Sequence, residues 1–301
     1  MSVFEREKYD DGGASQGGFD FATDRETLTQ RVEYQATFES YPQVLPRWLK
    51  LLKDEPIGGY PPELRKVLGL PENFVGAQIE GWDLLRLIAK KELVVDPLPK
   101  SFYEFDNSVD YLRSDMQKHL NRGGRSATGS ELDRMVREEL ERLSPNQLKE
   151  LGSCKVDLHM GRRYQHFART NVASVRIGQP LPQGILIEGE LGESDTLILQ
   201  VGELINATTV ERLLVPDYIR GSMDGKSGNA RIGLGVETAS LFDAGFDGDG
   251  VMELTNSGPI PIEIGLGDRI CAMDFFLLSS PAKHPYRGKY YQQQKPQGGK
   301  V

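Results

Sequence analysis

The chain has 301 residues, 38% hydrophobic and 27% charged, a balance that lets it bury a core without disulfides or metals as staples. Its 36 lysines and arginines against 44 acids leave a net charge of -8, which argues against coating nucleic acid or an anionic membrane. One small anion, held by basic residues gathered locally, stays open. Cys154 and Cys271 are far apart and form no disulfide framework or CxxC pair. The four histidines fall in no HxE or HExxH pattern, which excludes a zinc deaminase of the HxE plus PCxxC type. The start is charged, without an apolar leader segment, and no apolar run approaches a membrane span, so a soluble, cytoplasmic protein is expected.

In chain order, residues 1 to about 75 read as an N-terminal extension, with a flexible arm at Asp10 to Gly18 (DDGGASQGG). LPRWLKLL can form an amphipathic helix, and PPELRKVLGL a second one with proline in its first turn. Trp82, Leu84, Leu85, Leu87 and Ile88 give a helical apolar face, and the β-rich ELVVDP follows. Residues 99–151 turn polar and helical: Leu132, Met135, Val136, Leu140 and Leu143 recur at helix spacing, and Ser144, Pro145 and Gln147 read as a new helix start. This helical insertion reads as an ordinary surface helix pair, and a dedicated partner site is the alternative. Beyond 153 the runs KVDLHMG, ASVRI, ILIEGEL, TLILQV, LINATTVERLLV, GVMELTN, IPIEI and RICAMDFFLL follow at close spacing, divided by Gly, Pro, Asn and Asp. That pattern predicts a mainly β fold, a barrel or sandwich closed to hide its edges.

Three stretches carry candidate chemistry. DGKSGNARIGL (224–234) offers backbone N–H groups, a hydroxyl and two positive charges to one anion, or else is a glycine-rich hairpin with solvated charges. In FDAGFDGDGVMELTN, period-two alternation sets Glu253 opposite Met252 and Leu254. Glu253 is then either solvated or turned into a cleft, where burial would raise its pKa and suit it to general acid/base work. The stretch from residue 281 onward, PAKHPYRGKYYQQQKPQGGKV, has basic residues interleaved with Tyr286, Tyr290 and Tyr291 and no acid, so it either closes over a nucleotide or is a frayed end.

The order of these pieces resembles the dCTP deaminase family of the dUTPase-like group. The matching segments are Val215-Pro216-Asp217, Gly225 through Leu234 (GKSGNARIGL), Thr238-Ala239, Asp243 through Gly248 (DAGFDG), Val251 through Gly258 (VMELTNSG) and Pro285-Tyr286…Lys289-Tyr290-Tyr291-Gln292-Gln293. Upstream, GWDLLRLIAKKELVVDP and KVDLHMG match the family's opening helix and strand and its S-V-D-L strand. The likeness covers about 78–98 and 152–296. The resemblance implies a dUTPase-like distorted, jelly-roll-like β-barrel at 76–98 and 152–301, assembled as a homotrimer with extra α-helical N-terminal structure.

It further implies hydrolytic deamination of dCTP to dUTP and ammonia without zinc, Mg2+ being carried by the nucleotide triphosphate. Glu253 would move the protons, Ser227 and Arg231 would position water and offset charge, and the Ala239 backbone would hold the water or amino group. Lys226, Gly228, Asn229, Ala230 and Arg231 would surround the triphosphate. Asp243 would bind the sugar 3′-hydroxyl, with Val251 and Met252 beside it on the strand. Tyr286, Lys289 and Gln293 would come from the closing tail. Loop and strand would belong to neighbouring subunits. Departures are Gly228 for a second serine, Asn229 for an apolar residue, Lys226 for the commoner arginine, Glu237 near the site and a more acidic turn at 243–249. Each loosens the expected grip on phosphate. The alternatives are a bifunctional enzyme continuing to dUMP, and a non-catalytic nucleotide-binding or structural trimer. No nucleic acid or membrane partner is expected, and an unknown partner for 1–75 or 99–151 stays open.

Overall fold

The computed structural model describes residues 45–54, 78–140, 142, 148–168, 172–237, 239, 241–278 and 281–297. The glycine-rich arm, the expected helix at 61–70 and the helix start at 144–147 lie outside the described residues.

Helix α1 (Arg47–Lys50) is a single turn, shorter than the amphipathic pattern suggests. Helix α2 (Gly81–Ala89) starts where the Glu80 carboxylate accepts hydrogen bonds from the backbone N–H groups of Trp82 and Asp83, two donors with no intrahelical partner. Its Leu84, Leu85, Leu87 and Ile88 are fully buried. Strand β1 (Val94–Asp96) follows, and the insertion then forms helices α3 (Lys100–Arg122) and α4 (Gly129–Leu140). Helix α1 packs on both α2 and α3. The Trp48 ring meets Phe105 edge-on at 5.1 Å, and its Nε1–H donates to the Phe102 carbonyl at 2.9 Å. Residues on either side of the opening helix thus share one helical cluster with it.

The remaining strands are β2 (Lys155–Phe167), β3 (Leu186–Glu190), β4 (Thr196–Leu199), β5 (Leu204–Leu214), β6 (Ile219–Gly225), β7 (Leu234–Glu237), β8 (Leu241–Phe242), β9 (Asp247–Asn256), β10 (Ile262–Gly265) and β11 (Arg269–Leu277). The mainly β fold expected from the sequence is present. A nine-stranded antiparallel sheet runs β7-β9-β5-β2-β11-β6-β8, with β1 beside β5 and β3 beside β2, while β4 and β10 form a separate pair. Register shifts between Met160 and Tyr164 in β2 and between Thr208 and Arg212 in β5 bend both strands. Strand β2 therefore pairs with β11 over its first half and with β3 and β5 over its second.

ASVRI (173–177) is not a strand: no strand pairs with it among the described residues, and Val175 and Ile177 are 50% and 89% exposed. Alternation alone does not make a strand where no core face or free edge receives it. Conversely, the glycine-containing β6 and the very short β7 and β8 carry too little periodic signal to be singled out. Among the described residues, no helix is long and apolar enough to cross a membrane.

Candidate active site

Strand β9 sorts its side chains by alternation. Met252 and Leu254 are 0% exposed in the core, alongside Ile205 and Ala207 of the neighbouring β5. Val251 and Glu253 face the other way, half-buried. That other side is a cleft of about 490 Å³, whose walls include Asn206, Ala239, Asp243, Val251, Glu253, Tyr286 and Gln293. The cleft answers the question left open by the sequence, since Glu253 is neither in the core nor fully solvated. Burial raises its carboxyl pKa above the ordinary 4.5, against a smaller lowering by its own backbone N–H. Met252 was expected beside the substrate, but its side chain is committed to the core and only its backbone is left for a ligand.

The cleft exists because the tail docks. The Tyr286 N–H donates to the Ala244 carbonyl at 2.8 Å, and the Gln292 N–H to the Asp247 carbonyl at 2.6 Å. The Gln293 carbonyl accepts from the Asp249 N–H at 2.9 Å, and its side-chain amide donates to the Asp249 carbonyl at 3.0 Å. Two glycines allow this approach. A Cβ on Gly245, at φ +90°, would sit 2.6 Å from Pro285 Cβ, and one on Gly248 would sit 3.0 Å from the Gln293 nitrogen. Arg287 lies 4.4 Å over the Tyr291 ring and donates to the Gly245 carbonyl at 2.9 Å. Lys289 is exposed, 5.0 Å over the Tyr290 ring, and does not line the cleft. Over the described part, 281–297, the tail is therefore an ordered cover rather than a frayed end.

The acidic turn beneath it is largely neutralised. Asp247 is buried and receives Arg212 Nη2 at 2.7 Å. Burial raises the Asp249 pKa, with Arg212 and Arg163 opposing. Asp243 alone of the three is exposed, at the cleft wall.

The glycine-rich loop is built differently. It forms the short helix α5 (Ser227–Ala230), neither a wide hairpin nor an open turn. Lys226 Nζ lies 2.6 Å from both carboxylate oxygens of Asp157, and the Asn229 side-chain amide donates to the Arg269 and Ile270 carbonyls at 2.9 and 3.0 Å. Those bonds fasten the loop to β2 and β11. Ser227, Gly228, Ala230 and Arg231 are exposed, and no residue from 226 to 231 lines the cleft. Within one chain, then, the structure unites Glu253, Ala239, Asp243, Val251, Tyr286 and Gln293, and leaves Lys226, Ser227, Gly228, Asn229, Ala230 and Arg231 apart from them. Glu237 is the Cα partner of Glu253 across β7 and β9.

Sequence reasoning did not select Asn206, Met223, Leu241, Phe242 or Phe246, which also line the cleft. The only available signal was for Asn206, a lone amide at an alternating position of LINATTV. Among the described residues no group of three or more His, Cys, Asp or Glu is placed to hold a metal ion.

A family model described as dCTP deaminase-like matches residues 126–278. The chain belongs to the dCTP deaminase-like family. A dCTP deaminase, dUMP-forming, of Dictyoglomus thermophilum is 34% identical over 158 residues, 51% of this chain and 81% of that protein. A dCTP deaminase of Thermomicrobium roseum is 33% identical over 163 residues, 52% of this chain and 83% of that protein. Among solved structures, the 2'-deoxycytidine 5'-triphosphate deaminase of Agrobacterium tumefaciens has a TM-score of 0.42 at 15% identity, covering 68% of this chain and 49% of that chain. The family match begins at 126, so α4 lies inside the matched span while α1, α2 and α3 precede it.

Proposed function

We propose that the protein hydrolyses dCTP to dUTP and ammonia, with Glu253 as the proton-handling group. The observation that carries this reading is a half-buried carboxyl, its pKa raised by burial, in the wall of a cleft that the chain's own tail covers. Water adds at C4 of the cytosine ring and gives a proton to Glu253. The carboxyl passes that proton to the ring nitrogen, then takes the proton of the new C4 hydroxyl and delivers it to the departing amine, so that one group serves alternately as base and acid. A carboxyl held above its ordinary pKa suits both halves of that exchange.

In this reading the backbone of Ala239 binds the water or amino group and Asp243 the sugar 3′-hydroxyl, both being exposed residues of the cleft wall. Val251 and the Met252 backbone flank the base, while Tyr286 and Gln293, with Lys289 outside them, close the cleft. Ser227 and Arg231 are exposed and do not line the cleft that holds their own Glu253, which fits a homotrimer in which each α5 loop completes a neighbour's site. There they orient water and offset developing charge. The remaining loop residues, Lys226, Gly228, Asn229 and Ala230, frame the triphosphate, whose Mg2+ arrives as part of the substrate. Lys226 serves through its salt bridge to Asp157, which holds the loop in shape.

The test is direct. Purified protein given dCTP and Mg2+ is expected to release ammonia and dUTP, and Glu253→Gln to lower the rate by about 10²- to 10⁴-fold with an unchanged circular dichroism spectrum. Appearance of dUMP and pyrophosphate without free dUTP would establish the bifunctional reading, which the dUMP-forming names of several relatives favour. In that reading Asp243 also orients a water at the α-phosphate. No turnover of dCTP, dCMP or dUTP would leave a non-catalytic binding module.

A further inference from the structure

The β5–β9 ladder places Asn206 directly opposite Glu253. Directly opposed antiparallel residues project from the same face, with Cβ atoms about 4.5–5.5 Å apart. The flanking side chains settle which face that is. Ile205 and Ala207 on β5, and Met252 and Leu254 on β9, are 0–1% exposed in the core, so Asn206 and Glu253 both stand in the cleft wall. An amide at this position is unusual on physical grounds, because its strand neighbours from Leu204 to Val210 are apolar or threonine and Met223, Phe242 and Phe246 also line the cleft. A half-buried carboxamide in such surroundings needs a partner. Among the described residues its side chain makes no hydrogen bond, and the Glu253 carboxyl has none beyond its own backbone N–H. On β5, Asn206 is the polar residue that the ladder sets directly across from Glu253.

We propose that Asn206 is a positioning residue that holds the Glu253 carboxyl in the orientation from which it exchanges protons with the ligand. The carboxamide suits a group that changes charge during a cycle: its N–H₂ donates to the ionised carboxylate, and its carbonyl accepts from the protonated acid. A lysine or arginine in its place would hold Glu253 ionised, and a leucine would give the carboxyl no fixed orientation. The other ionisable groups in the cleft wall are Asp243, Tyr286 and Tyr290, and Glu237 is the Cα partner of Glu253 on β7. No lysine, arginine or histidine of this chain lines the cleft among the described residues, so the amide is the donor that β5 provides.

This inference rests on the deaminase reading for its kinetic test, and a second measurement keeps the two separable. Asn206→Leu, similar in size and without polar atoms, is expected to lower kcat on the order of tenfold with KM changed by less than about threefold. The acid limb of its pH–rate profile should move to higher pH, because a donor to the ionised carboxylate has been removed. Asn206→Ser, which restores a donor, should recover part of both. An unchanged acid limb in Asn206→Leu would overturn the proposal, as would a loss confined to KM. Independently of turnover, the Glu253 carboxyl can be titrated by ¹³C NMR in the wild-type protein and in Asn206→Leu, with Glu253→Gln for assignment. An upward displacement of its midpoint in Asn206→Leu supports the positioning role even if dCTP is not turned over, and coincident titrations would overturn it.

Discussion

Two regions named by the same resemblance behave in opposite ways. The cleft wall assembles within one chain: β9 presents Glu253, β5 presents Asn206, and the tail is hydrogen-bonded along 244–249 above them. The α5 loop, matched in order but departing at 226, 228 and 229, stands outside that cleft, fastened by Lys226 to Asp157 and by Asn229 to the β11 backbone. Under the proposed function these two regions are half-sites of one centre. One is an apolar cleft with a few polar groups in its wall. The other presents an exposed hydroxyl and guanidinium on a short, pinned helix. A cyclic trimer, in which one subunit's patch meets a different patch on the next, joins such halves without either folding back on itself.

The largest expected effect tests that division. Arg231→Ala should be as inactive as Glu253→Gln, each reduced by at least about 10²-fold. Co-refolding the two inactive variants in equal amounts should then restore about a quarter of wild-type turnover, because a site drawing on two subunits is intact when each supplies its unmutated half. Absence of any recovery would show that loop and strand act within one chain.

A smaller effect probes the cover. Gly245→Ala places a methyl against Pro285 and Tyr286 at a backbone angle that suits glycine, and should displace the tail. Turnover measured as kcat/KM is expected to fall roughly tenfold, and new proteolytic cleavage within 281–297 should accompany it. An unaltered kcat/KM would mean that the cover plays no part in the reaction.

Stability gives the two smallest effects, and in both it falls as pH rises. Glu253 has a folded pKa above its unfolded 4.5, so ionisation opposes folding, and stability is lost as pH rises from about that value through the folded pKa. Glu253→Gln should therefore raise the melting temperature at pH 7, by roughly a degree or two, with the gain shrinking toward zero below pH 4.5. His159 follows the same pH direction for the opposite reason, since here the fold favours the charged form. Burial lowers its pKa, but the Nδ1 contact to Glu211 at 2.6 Å and the surrounding carboxylates outweigh burial and leave it above 6.5. Its stabilising share is complete below pH 6.5 and is lost as pH rises through the folded value. Replacement by glutamine should flatten the stability profile above pH 6.5, read by urea unfolding at several pH values.

Much of the fold was legible. Alternation found β5, β9, β10 and β11, and the helical face at 82–88 found α2, because those segments bury one face and their composition records it. ASVRI failed because the same alternation occurs there with nothing to pack against. Glu253 was legible as a candidate from strand period and motif order. Its environment was not, since the alternation is identical whether the second face meets water or a cleft.

By itself, the sequence determined the mainly β architecture, the order of the motif segments and the identity of the carboxylate. It also placed part of the basic complement of this acidic chain in a loop and an acid-free tail. Only tertiary structure decided which of those charges stay available. Lys226 is neutralised by Asp157, 69 residues away, and the acidic turn by Arg212, 35 residues from Asp247. Only the β5–β9 register set Asn206 beside Glu253, and only the docked tail converted an exposed strand face into a cleft. The physical reason is common to all of them. Burial and charge pairing depend on which distant segments meet in space, and residue types along the chain record a segment's own preferences, not the partner it will find.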